Sequence, residues 1–164
     1  MIITIDGVAG AGKTTLAQFM MAEYQHRCSV QVVHMDDLYE GWITPLGPYL
    51  CLKLREIAQA HVDHLPFSIS QYDWKNSHAG PLLTINPVNL LIIEGVGSGQ
   101  SSIREFVETK IWIDLEPIVG LRRVLARDGC EIEEPMLIFL EEQHAHFAEE
   151  GTRDAADFHV NGLR

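Results

Sequence analysis

The sequence predicts an α/β protein whose mainly parallel sheet carries helices on both faces. Short apolar runs typical of buried strands alternate with longer segments whose apolar residues recur at helical spacing. One run, residues 90–93, contains no polar residue, as expected for a central strand that is covered on both sides. A glycine-rich turn at residues 7–12 joins the first strand-like run to the first helical segment. Together these features favour parallel strands joined by crossover helices.

The individual elements follow from local patterns along the chain. Apolar and β-branched runs predict strands at residues 1–5, 30–33, 90–93 and 110–115, with weaker strand signals at 67–72 and 82–85. Helical spacing of apolar residues predicts helices at residues 14–26, 49–65, 102–109, 117–127 and 133–150. Pro117 suits the first turn of its helix, and the Gly- and Pro-rich residues 41–48 predict a loop.

Composition limits the classes of protein to consider. The chain of 164 residues has the length of one ordinary domain, so one domain spanning residues 1–164 is expected. Its 46% hydrophobic and 21% charged residues are typical of globular proteins. The formal net charge of −11 disfavours nucleic-acid binding, since a phosphate backbone would be repelled. No apolar run is long enough to predict a membrane span, and the three cysteines form no close pair. We therefore expect a cytoplasmic protein with no membrane partner.

Residues 7–14 read GVAGAGKT and match the phosphate-binding motif GxxxxGK[ST] between a predicted strand and a predicted helix. The glycines let backbone N–H groups surround phosphates, and the helix start adds a favourable dipole. Lys13 is expected to reach the β and γ phosphates, while the Thr14 hydroxyl can complete a Mg²⁺ shell. The motif predicts a P-loop NTPase or kinase fold. The predicted nucleotide-binding residues are Gly7, Val8, Ala9, Gly10, Ala11, Gly12, Lys13, Thr14 and Thr15.

Acidic residues follow two other predicted strands. Asp36 and Asp37 come shortly after residues 30–33, and Glu94 ends the run at 90–93. Because ligands of open parallel sheets bind beyond the carboxyl ends of the strands, these acids should converge on the phosphates. A kinase that phosphorylates an alcohol needs one carboxylate to orient the hydroxyl and another to hold Mg²⁺ or its waters. Asp36 and Glu94 are the candidates, and Thr14 is the third candidate metal ligand. The NKxD and DxxG strings of GTPases do not occur, which favours ATP.

These residues resemble the uridine kinase family of P-loop kinases, whose members combine the phosphate loop with a D-x-[FL]-Y segment. Residues 36–39, DDLY, match that segment. The resemblance implies that Asp36 is the catalytic aspartate, that Tyr39 contacts the nucleoside, and that Glu94 in IIEG is associated with magnesium. It also makes Asp37 a supporting residue on the substrate side. A later segment is similar to the family's nucleoside pocket, with one residue more in its spacing, and supplies Tyr72, Trp74 and His78.

Three of the eight arginines lie within residues 122–127, in a segment that resembles the family's RRVLRD with one residue inserted. Helical spacing puts Arg123 and Arg127 on one face, and both are predicted to offset charge on the transferred phosphate. The alternative is an exposed helix face paired with acids such as Asp128. Residues 156–160 resemble the family's late strand, whereas residues 129–134, GCEIEE, stand where the family carries basic residues.

The sequence therefore predicts an ATP- and Mg²⁺-dependent kinase that phosphorylates a hydroxyl of a small molecule, either a uridine- or cytidine-like nucleoside or a similar metabolite. One alternative is a nucleoside monophosphate acceptor. It is disfavoured because only Lys53, Arg55 and Lys75 are cationic between residues 38 and 93. The other alternative is a regulatory module that binds nucleotide and switches partner contacts without efficient transfer.

Overall fold

A parallel five-stranded sheet forms the centre of the fold. The computed structural model describes residues 1–39, 41–42, 45–74, 76 and 78–163. The central sheet has the strand order β2-β5-β1-β6-β7 with every neighbouring pair parallel, and β3 pairs with β4 in a separate antiparallel sheet. The strands are β1 (Ile2–Gly7), β2 (Val30–His34), β3 (Phe67–Asp73), β4 (His78–Ile85), β5 (Leu90–Glu94), β6 (Thr109–Asp114) and β7 (Phe158–Asn161).

The helices connect these strands and cover the sheet. They are α1 (Lys13–Tyr24), α2 (Pro48–Val62), α3 (Pro117–Asp128) and α4 (Glu133–Glu150), with short 3-10 helices at Met35–Asp37, Ser101–Phe106 and Cys130–Ile132. The prediction of an α-helix over residues 102–109 is wrong. Only a 3-10 helix forms there, and it ends at Phe106. Thr109 already belongs to strand β6 and pairs with Ile3 of β1, so the end of the segment is part of the sheet. No helix in the described part of the chain is long and apolar enough to cross a bilayer.

Alternate residues of the buried strand β5 pack on opposite faces of the sheet. Leu90 and Ile92 join the core cluster that includes Ala17 of α1. Leu91 and Ile93 join a second cluster together with apolar residues of α2 and α4. This arrangement confirms the predicted parallel sheet with helices on both faces, and it explains why residues 90–93 contain no polar side chain.

The register of the sheet brings the carboxyl ends of β1, β2 and β5 together. Glu94 is the register partner of Ile5 on one side and of His34 on the other. The glycine-rich loop follows β1, and the 3-10 turn Met35–Asp37 follows β2. The sheet therefore places the loop, the acidic turn and Glu94 at one edge.

Candidate active site

A cleft of about 1110 Å³ opens at this edge of the sheet. Residues 9–15 of the loop, Asp36 and Glu94 form part of its wall, and Arg123 and Arg127 of α3 complete that end. The other end is lined by apolar and aromatic side chains, including Tyr39, Trp42, Trp74, Met136 and Phe139. Groups that are far apart in the sequence thus face one cavity.

The loop encloses the Lys13 ammonium. Lys13 is only 7% exposed, and its Nζ donates to the carbonyl oxygens of Gly7 and Val8, both at 2.8 Å. Burial lowers the pKa of Lys13, although the nearby carboxylates of Asp6 and Asp36 oppose that shift. Gly7 and Val8 therefore lie beneath the cleft wall as supports for Lys13, and a phosphate oxygen can replace their carbonyls as the acceptor of the ammonium protons.

Helices α3 and α4 hold the outside of the loop. A Cβ atom on Gly120 would lie 2.1 Å from the carbonyl oxygen of Ala9, so the helix backbone touches the loop directly. The guanidinium of Arg123 donates to the carbonyl oxygen of Gly10 at 3.3 Å. The backbone N–H of Ala9 donates to Oε1 of Gln143, a buried residue of α4, at 3.1 Å. The position of the loop therefore depends on both helices.

We expect Gly120→Ala to lower both the thermal stability and the affinity for ATP. The new methyl group would overlap the Ala9 oxygen, and overpacking of this kind costs roughly 1–3 kcal/mol even though alanine is the better helix former. Thermal denaturation and calorimetric titration with ATP measure the two effects. Ala126→Ser, an exposed site on the same helix, is the control. A higher melting temperature for Gly120→Ala would contradict the close contact.

Two hydrogen bonds fix one oxygen of Glu94. The Thr14 hydroxyl donates to Glu94 Oε1 at 2.8 Å, and His34 Nδ1 lies 2.6 Å from the same oxygen. Glu94 is 4% exposed, and its hydrogen bond raises the pKa of His34. Within the described residues no donor is recorded on Oε2, which leaves that oxygen for a ligand in the cleft.

Asp36 lies in the 3-10 turn after β2. Its side chain keeps accessible surface in the cleft. Desolvation by the surrounding protein nevertheless raises the pKa of Asp36. The charge of Lys13 opposes the shift and that of Glu94 reinforces it, so the three groups interact across the cleft. The Trp74 indole N–H donates to the Asp36 carbonyl oxygen at 3.2 Å and ties the turn to the β3–β4 hairpin.

The oxygen donors at this end of the cleft fit a magnesium ion. Thr14, Asp36 and Glu94 supply one hydroxyl and two carboxylates. Among the described residues no group of three or more His, Cys, Asp or Glu side chains forms a metal site by itself. Mg²⁺ takes one or two protein carboxylates and keeps water and phosphate oxygens as its other ligands, which matches this donor set.

Asp6 is an important residue of the site that is not among those predicted from the sequence. It is 2% exposed, and its carboxylate accepts hydrogen bonds from the backbone N–H groups of Gly7, Gly97 and Gly99 at 2.7, 3.1 and 2.9 Å. Burial raises the pKa of Asp6 to about 6, although these amides and Lys13 act in the opposite direction. Asp6 thus links the phosphate loop to the loop after β5. The position of Asp6 directly before the glycine-rich loop is the one feature of the sequence that could have indicated this role.

The raised pKa of Asp6 predicts a pH-dependent contribution to stability. Between pH 3.8 and about 6 the folded protein binds the Asp6 proton more tightly than the unfolded chain, so this contribution falls by roughly 3 kcal/mol as the pH rises. Asp6→Asn removes the dependence. We therefore expect the stability difference, mutant minus wild type, to become more positive from pH 4 to pH 7 in urea denaturation. Asp63→Asn, an exposed change, serves as the control, and a difference that becomes more negative would contradict the prediction.

The two predicted catalytic arginines differ in their surroundings. Arg123 is partly buried, and its guanidinium also donates to the Gly162 carbonyl oxygen at 2.8 Å, beside the end of β7. Arg127 is exposed and forms two hydrogen bonds with its neighbour Asp128, at 2.7 and 2.6 Å. Arg127 must exchange Asp128 for phosphate oxygens before it can act on a phosphate.

Aromatic residues define the other end of the cleft. Tyr39 is buried, and its hydroxyl donates to the carbonyl oxygen of Val96 at 2.7 Å. Its ring lies 6.0 Å from that of Phe139, and the Trp42 and Trp74 rings are 5.0 Å apart. Tyr39 and Trp74, two of the predicted substrate residues, therefore line the cleft as parts of a larger aromatic cluster.

Two curated proteins match the sequence. A uridine kinase from Brevibacillus brevis is 25% identical over 146 residues, which cover 78% of this chain and 66% of the relative. A uridine kinase from Lactobacillus johnsonii is 25% identical over 150 residues, 80% of this chain and 69% of the relative. The chain thus spans about two thirds of the length of the curated relatives it matches. No protein-family model matches the chain.

Solved structures share the fold. A possible uridine kinase from Bacillus stearothermophilus is 20% identical with a TM-score of 0.67, over 98% of this chain and 88% of that chain. This chain has the P-loop kinase fold and is similar in sequence to uridine kinases. Shikimate kinase from Bacteroides thetaiotaomicron has a TM-score of 0.56 at 17% identity, over 99% of this chain and 86% of that one. D-glycerate 3-kinase from Cryptococcus neoformans has a TM-score of 0.58 at 12% identity, over 100% of this chain and 87% of that chain.

Three of the predicted substrate residues do not lie on the cleft wall. The carboxylate of Asp37 accepts a hydrogen bond from the side chain of Gln71 at 3.2 Å. The Tyr72 ring packs edge-on against Trp74 at 5.0 Å, behind the residue that reaches the cleft. His78 is exposed on β4. The β3–β4 hairpin therefore presents Trp74 to the cleft, while Tyr72 and His78 of the hairpin and Asp37 of the 3-10 turn do not line it.

Proposed function

We propose that this protein is a kinase that transfers the γ-phosphoryl group of ATP, with Mg²⁺, to a hydroxyl of a neutral small molecule that contains a ring. A nucleoside is the first candidate. The observation that carries the proposal is a single cleft in which the phosphate-binding loop, Asp36 and Glu94 face one end and aromatic side chains form the other.

The phosphate end binds the triphosphate. Backbone N–H groups of the loop and the start of α1 donate to phosphate oxygens, and Lys13 neutralises part of their charge. Thr14 and Glu94 would hold the Mg²⁺, which would offset the negative charge of the phosphates. Arg123 and Arg127 supply further positive charge from α3. Such fixed charges act on the charge that develops on the transferred group.

Asp36 is the proposed acceptor-orienting carboxylate. It lies on the cleft wall with Lys13 at the phosphate end. The Trp74 indole N–H donates to the Asp36 carbonyl oxygen, so the turn is also connected to the aromatic end. Because desolvation by the surrounding protein raises the pKa of Asp36, the carboxylate is a stronger proton acceptor than an aspartate with the ordinary pKa. It can hold the acceptor hydroxyl and receive its proton as the phosphorus–oxygen bond forms.

The aromatic end favours a neutral ring over an anionic acceptor. Among the described residues, the cations that line the cleft are Lys13, Arg123 and Arg127, and all belong to the loop or α3. Arg55 pairs instead with Glu105. Lys75 lies outside the described residues. A nucleoside monophosphate would need a cation for its phosphate, whereas a base or another flat ring can stack on tryptophan and phenylalanine. The uridine kinase relatives support the same acceptor class.

The test is acceptor-stimulated turnover. Purified protein is incubated with ATP, Mg²⁺ and a panel of nucleosides, sugar alcohols, hydroxy acids and nucleoside monophosphates, and ADP and the phosphorylated product are quantified by mass spectrometry. We expect neutral ring-containing alcohols to give the highest kcat/KM, and Asp36→Asn to lose the product. Preference for an anionic acceptor would contradict the proposed acceptor class. ATP binding without turnover on any acceptor would favour the regulatory module.

A further inference from the structure

His34 lies beside the candidate metal ligand Glu94 without reaching the cleft itself. It is the last residue of β2 and the direct register partner of Glu94 in the neighbouring strand β5. Its Nδ1 is 2.6 Å from Glu94 Oε1. Because a carboxylate only accepts hydrogen bonds, Nδ1 carries the hydrogen in this contact. His34 is not on the cleft wall, so any effect that it has on the reaction must run through Glu94.

The two donors on Glu94 act on the same oxygen from different elements. Thr14 approaches from the start of α1, and His34 approaches from the end of β2. A carboxylate held at one oxygen by two donors cannot rotate freely, so its second oxygen keeps a fixed direction. When Thr14 turns its oxygen toward a metal ion, the contact with His34 still constrains the carboxylate. Hydrogen-bond partners of metal-ligating side chains orient them and tune metal affinity in this way.

We propose that His34 is a positioning residue that aims the Glu94 carboxylate at the magnesium ion of a bound Mg²⁺–ATP. The inference rests on the proposed function, because it gives His34 a task only if Mg²⁺ and ATP bind in this cleft. It assigns the residue a role that neither the phosphate-binding motif nor the uridine kinase resemblance provides.

The environment of His34 allows its role to be separated from folding. Its side chain is 38% exposed, so truncation leaves no large cavity, and Glu94 keeps its bond to Thr14. Asparagine can place a side-chain N–H near the position of Nδ1, so His34→Asn should preserve the contact that His34→Ala removes. His26→Ala is the matched control, because His26 is exposed after α1 and far from the acidic edge in the fold.

The experiment measures metal-dependent nucleotide binding rather than turnover. The affinity for the non-hydrolysable analogue AMP-PNP is determined by calorimetry with Mg²⁺ and again with EDTA, for wild type and each variant. We expect His34→Ala to reduce the enhancement by Mg²⁺ roughly tenfold, while affinity in EDTA is unchanged. His34→Asn should keep most of the enhancement, and His26→Ala all of it. In the Glu94→Gln background, His34→Ala should have no further effect, since the two residues act as one unit.

The outcomes separate the inference from the proposed function. If wild type shows the enhancement and His34→Ala retains it, the positioning role is wrong and the proposed function is untouched. A fall of the same size in EDTA would also overturn it, because His34 would then support the loop generally and not the metal ligand. If wild type binds AMP-PNP equally with and without Mg²⁺, or not at all, the proposed function and the inference both fail.

Discussion

Replacing Lys13 with methionine is expected to lower kcat for phosphoryl transfer by roughly 10²–10³-fold or more, the usual cost of losing a charge that stabilises the transition state. The ammonium is buried within the loop and hydrogen-bonded to the carbonyl oxygens of Gly7 and Val8, so it is held where the phosphates would enter. Methionine has a similar length and keeps most of the packing but supplies no charge. Steady-state kinetics and ATP titration measure the loss.

Lys13→Met should have a second, independent effect on Asp6. The positive charge of Lys13 lowers the pKa of the buried Asp6 carboxyl, so its removal should raise that pKa further. The pH dependence of urea denaturation then shifts toward higher pH. Lys53→Met is the control, because the Lys53 ammonium pairs with Glu56 on α2, away from the cleft. Lys13→Met with wild-type kcat would exclude the proposed role of the loop.

The parts of the fold that the sequence predicts correctly are those encoded by local patterns. The apolar residues 90–93 indicate a central strand because burial on both faces leaves no position for a polar side chain. The phosphate loop is equally local, since a continuous motif specifies it together with the strand and helix around it. Asp36 and Glu94 are distant in sequence, but the rule that parallel strands end at one edge brings them together. The common location of Asp36 and Glu94 therefore follows from the topology alone.

The residues that sequence patterns do not reveal depend on contacts between distant segments. His34 and Glu94 are 60 residues apart, and Ala9 and Gln143 are 134 apart. Nothing local distinguishes Gln143 from other polar residues of an acidic helix, or Gly120 from a tolerated helix glycine, until α4 and α3 pack against the loop. The sequence also does not show that Tyr72 and His78 lie off the cleft wall. Spacing alone does not tell which side chains of a hairpin face a cleft, because one added residue changes the face.

Asp36→Asn is expected to lower kcat by roughly 10²–10⁴-fold while leaving the affinity for Mg²⁺–ATP nearly unchanged, as for loss of a general base. The amide has the size of the carboxyl group and can still contact the acceptor hydroxyl, but it cannot accept the proton. The carboxylate also lies near Glu94, which raises its pKa, so removal of its charge relieves repulsion at the phosphate end. ATP binding should consequently be equal or slightly tighter, and the loss should appear in the chemical step.

The pH profile distinguishes this role from simple positioning. Because burial raises the pKa of Asp36 above its usual 3.8, wild-type kcat should fall on the acid side as the carboxylate becomes protonated. The residual activity of Asp36→Asn should lack that acid limb. Asp154→Asn, which neutralises an exposed carboxylate after α4, should keep both the rate and the limb. An Asp36→Asn enzyme with full kcat would remove Asp36 from the mechanism, and one that has lost ATP binding would make it a nucleotide ligand instead of the proton acceptor.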